Sequence, residues 1–174
     1  MKIIQYNNSS LNGFIARKDG REDWLPNEGW DEFVNSAQEF GNFIMGRETF
    51  EIVTKIDPDY NFEEADVPYK IIVTTNPDYA APEGYIVAHS PQEARSFLAE
   101  KNVETGLLIG GGKLNGAFYA NKLVDETWIM VNPCILGEGR PLIANSDFET
   151  KLKLIDVVRC SKDRVLLEYS VVQQ

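Results

Sequence analysis

Two residue types that often mark chemistry are nearly missing. The 174-residue chain has two cysteines, Cys134 and Cys160, and a single histidine, His89. Small secreted scaffolds held by disulfides carry more cysteine than this. No CxxC or Cys/His cluster is present, so no structural metal site is expected. With one imidazole in the chain, a Ser-His-Asp triad centred anywhere but His89 is excluded. His89 itself lies just before a helix start and reads as a strand-end residue. Basic charge is scarce too. Seventeen Lys and Arg face 27 Asp and Glu, a net charge of −10. That balance argues against nucleic acid as a partner, because such binders need a cationic face to displace counterions. A small anionic ligand stays admissible, since a few local cations and backbone N–H groups can hold one. No apolar run reaches membrane-spanning length, and Met1 to Tyr6 lacks an apolar signal core, so the expectation is a cytoplasmic protein with no membrane contact.

What is present is ordinary for a globular chain. Hydrophobic residues make up 43% and charged residues 25%. The length suits one domain over 1–174. Strand and helix patterns alternate, which points to an α/β fold with a mostly parallel sheet. Strands are expected at Lys2–Tyr6, Gly13–Arg17, Asn42–Met45, Lys70–Thr74, Leu107–Ile109 and Thr127–Val131. Asn7-Asn8-Ser9-Ser10 reads as a turn, and so does Lys18-Asp19-Gly20. Helices are expected at Asp31–Phe40, from Arg47 to Val53, and at Asn115–Lys122. Another starts at Ser90-Pro91-Gln92-Glu93, where Ser90 can cap, Pro91 suits the first helical position and Glu93 completes a capping box. Residues 55–69, with Asp57-Pro58-Asp59, read as a surface loop. Lys153–Val158 and Arg164–Val172 form a closing antiparallel pair around Ser161-Lys162-Asp163. Cys134 reads as packing.

The run Gly110-Gly111-Gly112 carries the most chemistry. A strand, then glycines, then a helix collects unpaired backbone N–H groups and a positive dipole end at one spot, which makes an anion cradle. The spacing fits neither GxGxxG, since Asn115 stands where the third glycine would be, nor a Walker A loop. A tight turn without a ligand is the other reading. Ile44-Met45-Gly46-Arg47-Glu48-Thr49 places a glycine, a cation and a hydroxyl at a second helix N-terminus. There Arg47 can fork onto a phosphate or pair with Glu51 one turn on. At Val73-Thr74-Thr75-Asn76, hydroxyls end a third strand. Three polar strand ends on one parallel sheet line one crevice, where open α/β sheets bind ligands.

These residues resemble a known family. Ser10-Leu11-Asn12-Gly13, Ile44 to Glu51 and Ile109-Gly110-Gly111-Gly112-Lys113-Leu114 are similar to the dihydrofolate reductase superfamily. Leu123-Val124-Asp125-Glu126 and Val131 to Gly139 resemble one branch, the riboflavin-biosynthesis reductase domain (RibD C-terminal) and its relatives. The resemblance implies a dihydrofolate-reductase-like, three-layer α/β/α sandwich. Its central sheet would be mixed and mostly parallel, with a C-terminal antiparallel hairpin. It implies NADPH as hydride donor, a small heterocyclic substrate of pterin or ribosylaminopyrimidine type, and a homodimer. Gly110, Gly111 and Gly112 would wrap the pyrophosphate with help from Thr49. Arg47, Thr75 and Lys113 would surround the adenosine 2′-phosphate, with Gly46, Thr74 and Leu114 completing the cofactor motifs.

On the substrate side, dihydrofolate reductases place a carboxylate two residues after a Leu-Pro pair. After Leu25-Pro26 that position is Glu28, and Asp31 is the runner-up; both can equally be acids set against a helix dipole. Asn12, Trp24 and Trp30 are the pocket candidates, the tryptophans as stacking platforms or as core. Residues 12–24, bracketed by Gly13 and Gly20, can act as a lid. Several positions depart from the family patterns. Lys70 stands where folate reductases carry an arginine for the substrate tail, and Met130 where they carry a threonine behind the carboxylate. Asn12 and Gly110 stand where riboflavin-pathway reductases carry acids. A non-catalytic, NADP(H)-binding sensor or partner-binding dimer is the alternative function.

Overall fold

The first strand, β1, runs over Lys2–Ser10 and is the spine of the sheet. It pairs in parallel with β6 (Thr105–Gly110) on one side and with β7 (Glu126–Asn132) on the other. The expected turn at Asn7-Asn8-Ser9-Ser10 is therefore strand: register with β7 continues to Ser10↔Asn132. The polar run stays extended because its side chains find partners inside. Asn7 Nδ2 donates to the Ile109 carbonyl at 2.8 Å, and Asn7 Oδ1 accepts from Gln5 Nε2 (2.8 Å) and Asn115 Nδ2 (3.0 Å). Buried polar groups satisfied in this way are tolerated in a central strand.

The structure, a computed structural model, describes residues 1–26, 28–56, 62–144 and 147–172. Asn27 and the Asp57-Pro58-Asp59 part of the expected loop lie outside the described residues. After β1 come β2 (Phe14–Ala16), α1 (Glu28–Phe40), β3 (Asn42–Gly46) and α2 (Arg47–Ile56). A 3₁₀ turn at Phe62–Ala65, within the expected loop, leads to β4 (Tyr69–Val73), β5 (Tyr85–Ala88) and α3 (Pro91–Glu100). Following β6 are α4 (Gly112–Ala120), β7, β8 (Arg140–Pro141), β9 (Lys151–Arg159) and β10 (Val165–Val172). The main sheet has eight strands in the order β5-β4-β3-β6-β1-β7-β10-β9, with β10 antiparallel to both its neighbours. β2 and β8 form a separate antiparallel pair. The three-layer sandwich, the mostly parallel sheet and the closing hairpin are all present as expected.

Strand alternation feeds two cores. Phe43, Met45 and Ile72 point to the face covered by α1, where they meet Phe33, Ala37 and the 3₁₀ turn's Phe62, with Phe50 and Val53 of α2 packed against them. Ile44, Ile71 and Val73 point to the opposite face, under Ala94 and Leu98 of α3 and Leu114 and Phe118 of α4. The first core is rich in aromatic rings: Phe33 lies 5.1 Å from Trp30, 5.5 Å from Phe43 and 6.1 Å from Phe62. Burying one such side chain is worth about 1.5–3 kcal/mol, which anchors α1 over the sheet.

Several boundaries move. α1 begins at Glu28 rather than Asp31, with both acids in its first turn. α4 begins at Gly112 rather than Asn115, because Gly111 serves as its cap. α3 starts as expected: Ser90 Oγ accepts from the Glu93 N–H at 3.1 Å. The Glu93 carboxylate reaches one residue further back than a standard box, to the His89 N–H at 2.7 Å. The short strands β5 and β8 lack a periodic signal long enough to read. The fold brings the C-terminal ends of three adjacent strands, β4, β3 and β6, side by side at the N-termini of α2 and α4.

Candidate functional site

A cavity of about 390 Å³ opens at those strand ends. β3 ends at Gly46, and α2 begins with Arg47, Glu48 and Thr49, all four on its wall. β4 runs out into Thr74 and Thr75, and β6 into Gly111, Gly112, Lys113 and Leu114. Each expected cofactor residue except Gly110 thus lines this one cavity. Gly110, at φ +98°, is the last residue of β6, and its peptide to Gly111 is cis.

The glycine turn is held from both sides. Gly111 N–H donates to Thr49 Oγ1 at 2.8 Å, which ties the α4 cap to α2. A Cβ on Gly112 would sit 2.2 Å from the Pro141 carbonyl oxygen, so no other residue fits there without moving backbone. The amides of α4's first turn have no carbonyl before them in the helix, and they carry its positive dipole end.

Cations surround the turn, and carboxylates hold them. Arg47 Nη1 donates to both Glu51 oxygens at 3.1 Å. Lys113 Nζ reaches both Glu48 oxygens at 2.9 and 3.0 Å. Arg140, from β8, lines the same cavity. The Nε atoms of Arg47 and Arg140 are shut off from solvent without a hydrogen-bond partner among the described residues. A buried charged donor left unmet is costly, so these two positions favour an incoming anion. His89 also lines the cavity, its Nδ1 3.2 Å from the Thr74 carbonyl oxygen.

A second, smaller cavity of about 100 Å³ adjoins the first. The two share Ile15, Glu22, Thr49, Val53 and Gly111 as walls. The small one is closed by Tyr6, Leu25, Trp30, Phe33, Phe62 and Ile109, an apolar lining suited to a flat ring. Asn8 adds a fixed donor. Its Oδ1 accepts from Asn132 Nδ2 (3.1 Å) and Arg164 Nη2 (3.2 Å), and its Nδ2 has no partner among the described residues and can donate. Arg164 is itself buried and forks onto both Glu32 oxygens at 3.0 and 2.6 Å.

The expected substrate-side residues are placed apart. Trp30 lines the small cavity and donates to Glu64 at 2.6 Å. Trp24 and Asn12 line neither cavity. Asn12 is absorbed by its loop, where its Nδ2 donates to the Leu136 carbonyl at 2.7 Å. Glu28 and Asp31 stand exposed on the first turn of α1, also away from both cavities. Lys70 is buried against the Tyr85 ring and pairs with Glu63, and it too lines neither cavity. Among the described residues no cluster of His, Cys, Asp or Glu could hold a metal, and no helix is long and apolar enough to cross a membrane.

This arrangement of strand ends and glycine turn has relatives. The RibD C-terminal domain model matches residues 1–166. The chain belongs to the RibD C-terminal domain family. The uncharacterized protein YwjB of Bacillus subtilis is 33% identical over 159 residues, covering 88% of each chain. A Shewanella sp. PV-4 protein named for riboflavin biosynthesis superposes with a TM-score of 0.81 at 24% identity, over 99% of this chain and 100% of that one. Dihydrofolate reductase of Enterococcus faecalis, solved with NADP(H), superposes with a TM-score of 0.74 at 20% identity, over 99% and 97%. At such identities the superpositions speak for the shared fold.

Within this RibD-type frame, sequence reasoning missed Glu22, Arg140, Asn8 and Arg164. Glu22 sits on the shared wall and is partly buried, and burial alone pushes its carboxyl up to about 7. No short motif flags these residues, because each reaches its place through the tertiary fold. The one available signal was Asn8 in a polar run flanked by apolar strand, which a turn explained equally well.

Proposed function

We propose that this chain is an NADPH-dependent reductase of a small heterocycle, of pterin or ribosylaminopyrimidine type. The observation that carries the reading is the junction: a cationic, glycine-turned cavity opens directly onto a small apolar one through five shared residues. Arg47, Lys113 and Thr75 would hold a 2′-phosphate. Gly111, Gly112 and Thr49 would receive the pyrophosphate at the start of α4. The unmet Nε atoms of Arg47 and Arg140 fit such an anion. When bound, NADPH would supply the hydride. The chain's own part is to orient both ligands and to exclude water between Ile15, Val53 and the small cavity's aromatic wall. Asn8 would donate to a carbonyl or ring nitrogen of the heterocycle. The half-exposed apolar residues of the edge strand β9, among them Leu154, Ile155 and Val157, support a second copy as partner.

Thermal unfolding with NADPH, NADP, NADH and no ligand tests the reading. A ligand that binds only the folded chain adds about 2.7 kcal/mol at 100 times its dissociation constant. That corresponds to roughly 5–11 °C for a domain of this size. The expected outcome is a clear rise with NADPH and little with NADH. No rise with any nucleotide sets the reductase aside. Binding without oxidation of NADPH by dihydrofolate or a ribosylaminopyrimidine favours the non-catalytic sensor instead.

A further inference from the structure

Reduction of a C=N bond needs a proton as well as a hydride, and neither acid expected from the sequence faces a cavity. We propose that Glu22 is the proton donor of the site, delivering its carboxyl proton to the nitrogen of the substrate's C=N bond as the adjacent carbon takes the hydride. The inference rests on the reductase reading.

Position comes first. Among the described residues Glu22 is the one carboxylate-bearing residue that lines both cavities. Of the small cavity's other lining residues, only Tyr6 titrates. Burial holds its phenol well above its usual value, so it is the weaker acid of the two. The Glu22 carboxyl makes no hydrogen bond or ion pair with any described residue, so its proton is uncommitted. The segment that carries it is seated. Arg17 N–H donates to the Arg21 carbonyl at 2.8 Å, and Leu25 N–H to the Glu22 carbonyl at 2.9 Å. A Cβ on Gly20 would lie 2.3 Å from Ile52 Cγ2, so the turn rests directly on α2.

Electrostatics come second. The charged and titratable groups facing the shared space are Arg47 and Glu48 from α2, Lys113 from α4, His89 before α3, Arg140 from β8 and Tyr6 from β1. Arg47 and Lys113 are engaged by Glu51 and Glu48. On its own segment, Arg17 pairs with Asp23 and Arg21 with Asp19, on the exposed side. No neighbouring charge pulls the Glu22 carboxyl down, and desolvation raises it to about 7. An acid poised near the working pH is the efficient general acid.

The step balances. The hydride adds to carbon, and the π pair of the C=N bond moves onto nitrogen. The O–H bond of Glu22 breaks as the N–H bond forms. The substrate is reduced, the nicotinamide is oxidised, and the carboxylate regains its proton from water.

The test compares the wild-type chain with Glu22→Gln and Glu22→Asp, using three readouts. Infrared difference spectroscopy should show one carboxyl in the unliganded wild type that titrates near neutrality and is missing from Glu22→Gln. Thermal unfolding should show a pH-dependent gain for Glu22→Gln. The raised carboxyl costs nothing below the ordinary glutamate range, and its charged form weighs against the fold as pH climbs through the folded-state value. The variant therefore melts higher than wild type at alkaline pH and not at acid pH. NADPH oxidation with dihydrofolate or a ribosylaminopyrimidine should fall about 100-fold or more in Glu22→Gln, the usual share of a general acid, and lose its alkaline decline. Glu22→Asp should recover part of the rate. Stabilisation by NADPH should persist in both variants. Wild-type turnover in Glu22→Gln, or a carboxyl titrating in the ordinary range, overturns the proposal and leaves the reductase standing. A wild-type chain that NADPH stabilises but that reduces neither substrate also overturns it. A wild-type chain that no nucleotide stabilises overturns the reductase reading, and this inference falls with it.

Discussion

The two cavities share a wall and are built by opposite means. The large one takes its walls from contiguous stretches at three neighbouring strand ends, Gly46–Thr49, Thr74–Thr75 and Gly111–Leu114. Its chemistry is backbone amides, hydroxyls and cations, which a glycine turn and a helix start deliver locally. The small one draws on more elements, with Tyr6–Asn8 of β1, Ile15 of β2, the 17–26 segment, α1, α2, the 3₁₀ turn and the end of β6 each adding a wall. One of its polar wall residues, Asn8, is held by Arg164, 156 residues away in sequence. On the proposed reading, holding a phosphate would depend on short motifs, whereas choosing a heterocycle would depend on how distant elements meet.

That contrast is broken most sharply at Arg164. Arg164→Met should leave Glu32 without its buried partner and free the Asn8 amide to rotate. Breaking a buried pair costs about 3–5 kcal/mol, and since the Glu32 side chain keeps 28% of its exposure the lower end applies. Thermal unfolding should fall by roughly 6–12 °C for a domain of this size. The increment added by NADPH should stay the same, since Arg164 touches nothing in the large cavity. If that increment disappears as well, the two cavities are not independently built.

Arg47→Ala probes the opposite side. Losing a charged hydrogen bond to phosphate should cost about 1.5–3 kcal/mol of NADPH binding, roughly 10- to 100-fold in affinity. NADH affinity should barely change. Calorimetric titration with both nucleotides measures the ratio. Equal losses for both would mean that Arg47 does not face a 2′-phosphate.

The same contrast decides how much was legible in the sequence. The sandwich and the strand-helix alternation were, because periodicity and caps such as Ser90 act over a few residues. So was the gathering of Gly46, Arg47, Thr49, Thr74, Thr75, Gly111, Gly112 and Lys113, once a parallel sheet aligned their strand ends. The strand character of Asn7–Ser10 was not. Those side chains look like turn formers until Ile109, Asn115 and Asn132 arrive from other strands and helices to satisfy them. Glu28 illustrates the converse. A local match to Leu-Pro and an acid marks it, yet the first turn of α1 points it to solvent, while Glu22, with no motif around it, reaches the shared wall.

The smallest expected effect is also the sharpest test of how the large cavity's cations are held. Arg47 rests on Glu51 and Lys113 on Glu48, so on the proposed reading a phosphate would displace a carboxylate from each cation. An exposed i,i+4 pair contributes only about 0.3–0.5 kcal/mol. Glu51→Gln should therefore leave the melting temperature nearly unchanged while tightening NADPH by about twofold, the same energy now released to binding. The gain should shrink as salt is raised, because partly exposed charges are screened over about 8 Å at physiological ionic strength. Glu48→Gln should act in the same direction through Lys113, and more weakly, since that lysine is the more exposed cation. Weaker binding in Glu51→Gln would mean that Glu51 holds the guanidinium in its productive orientation rather than masking it, and the carboxylate would then belong to the phosphate site itself.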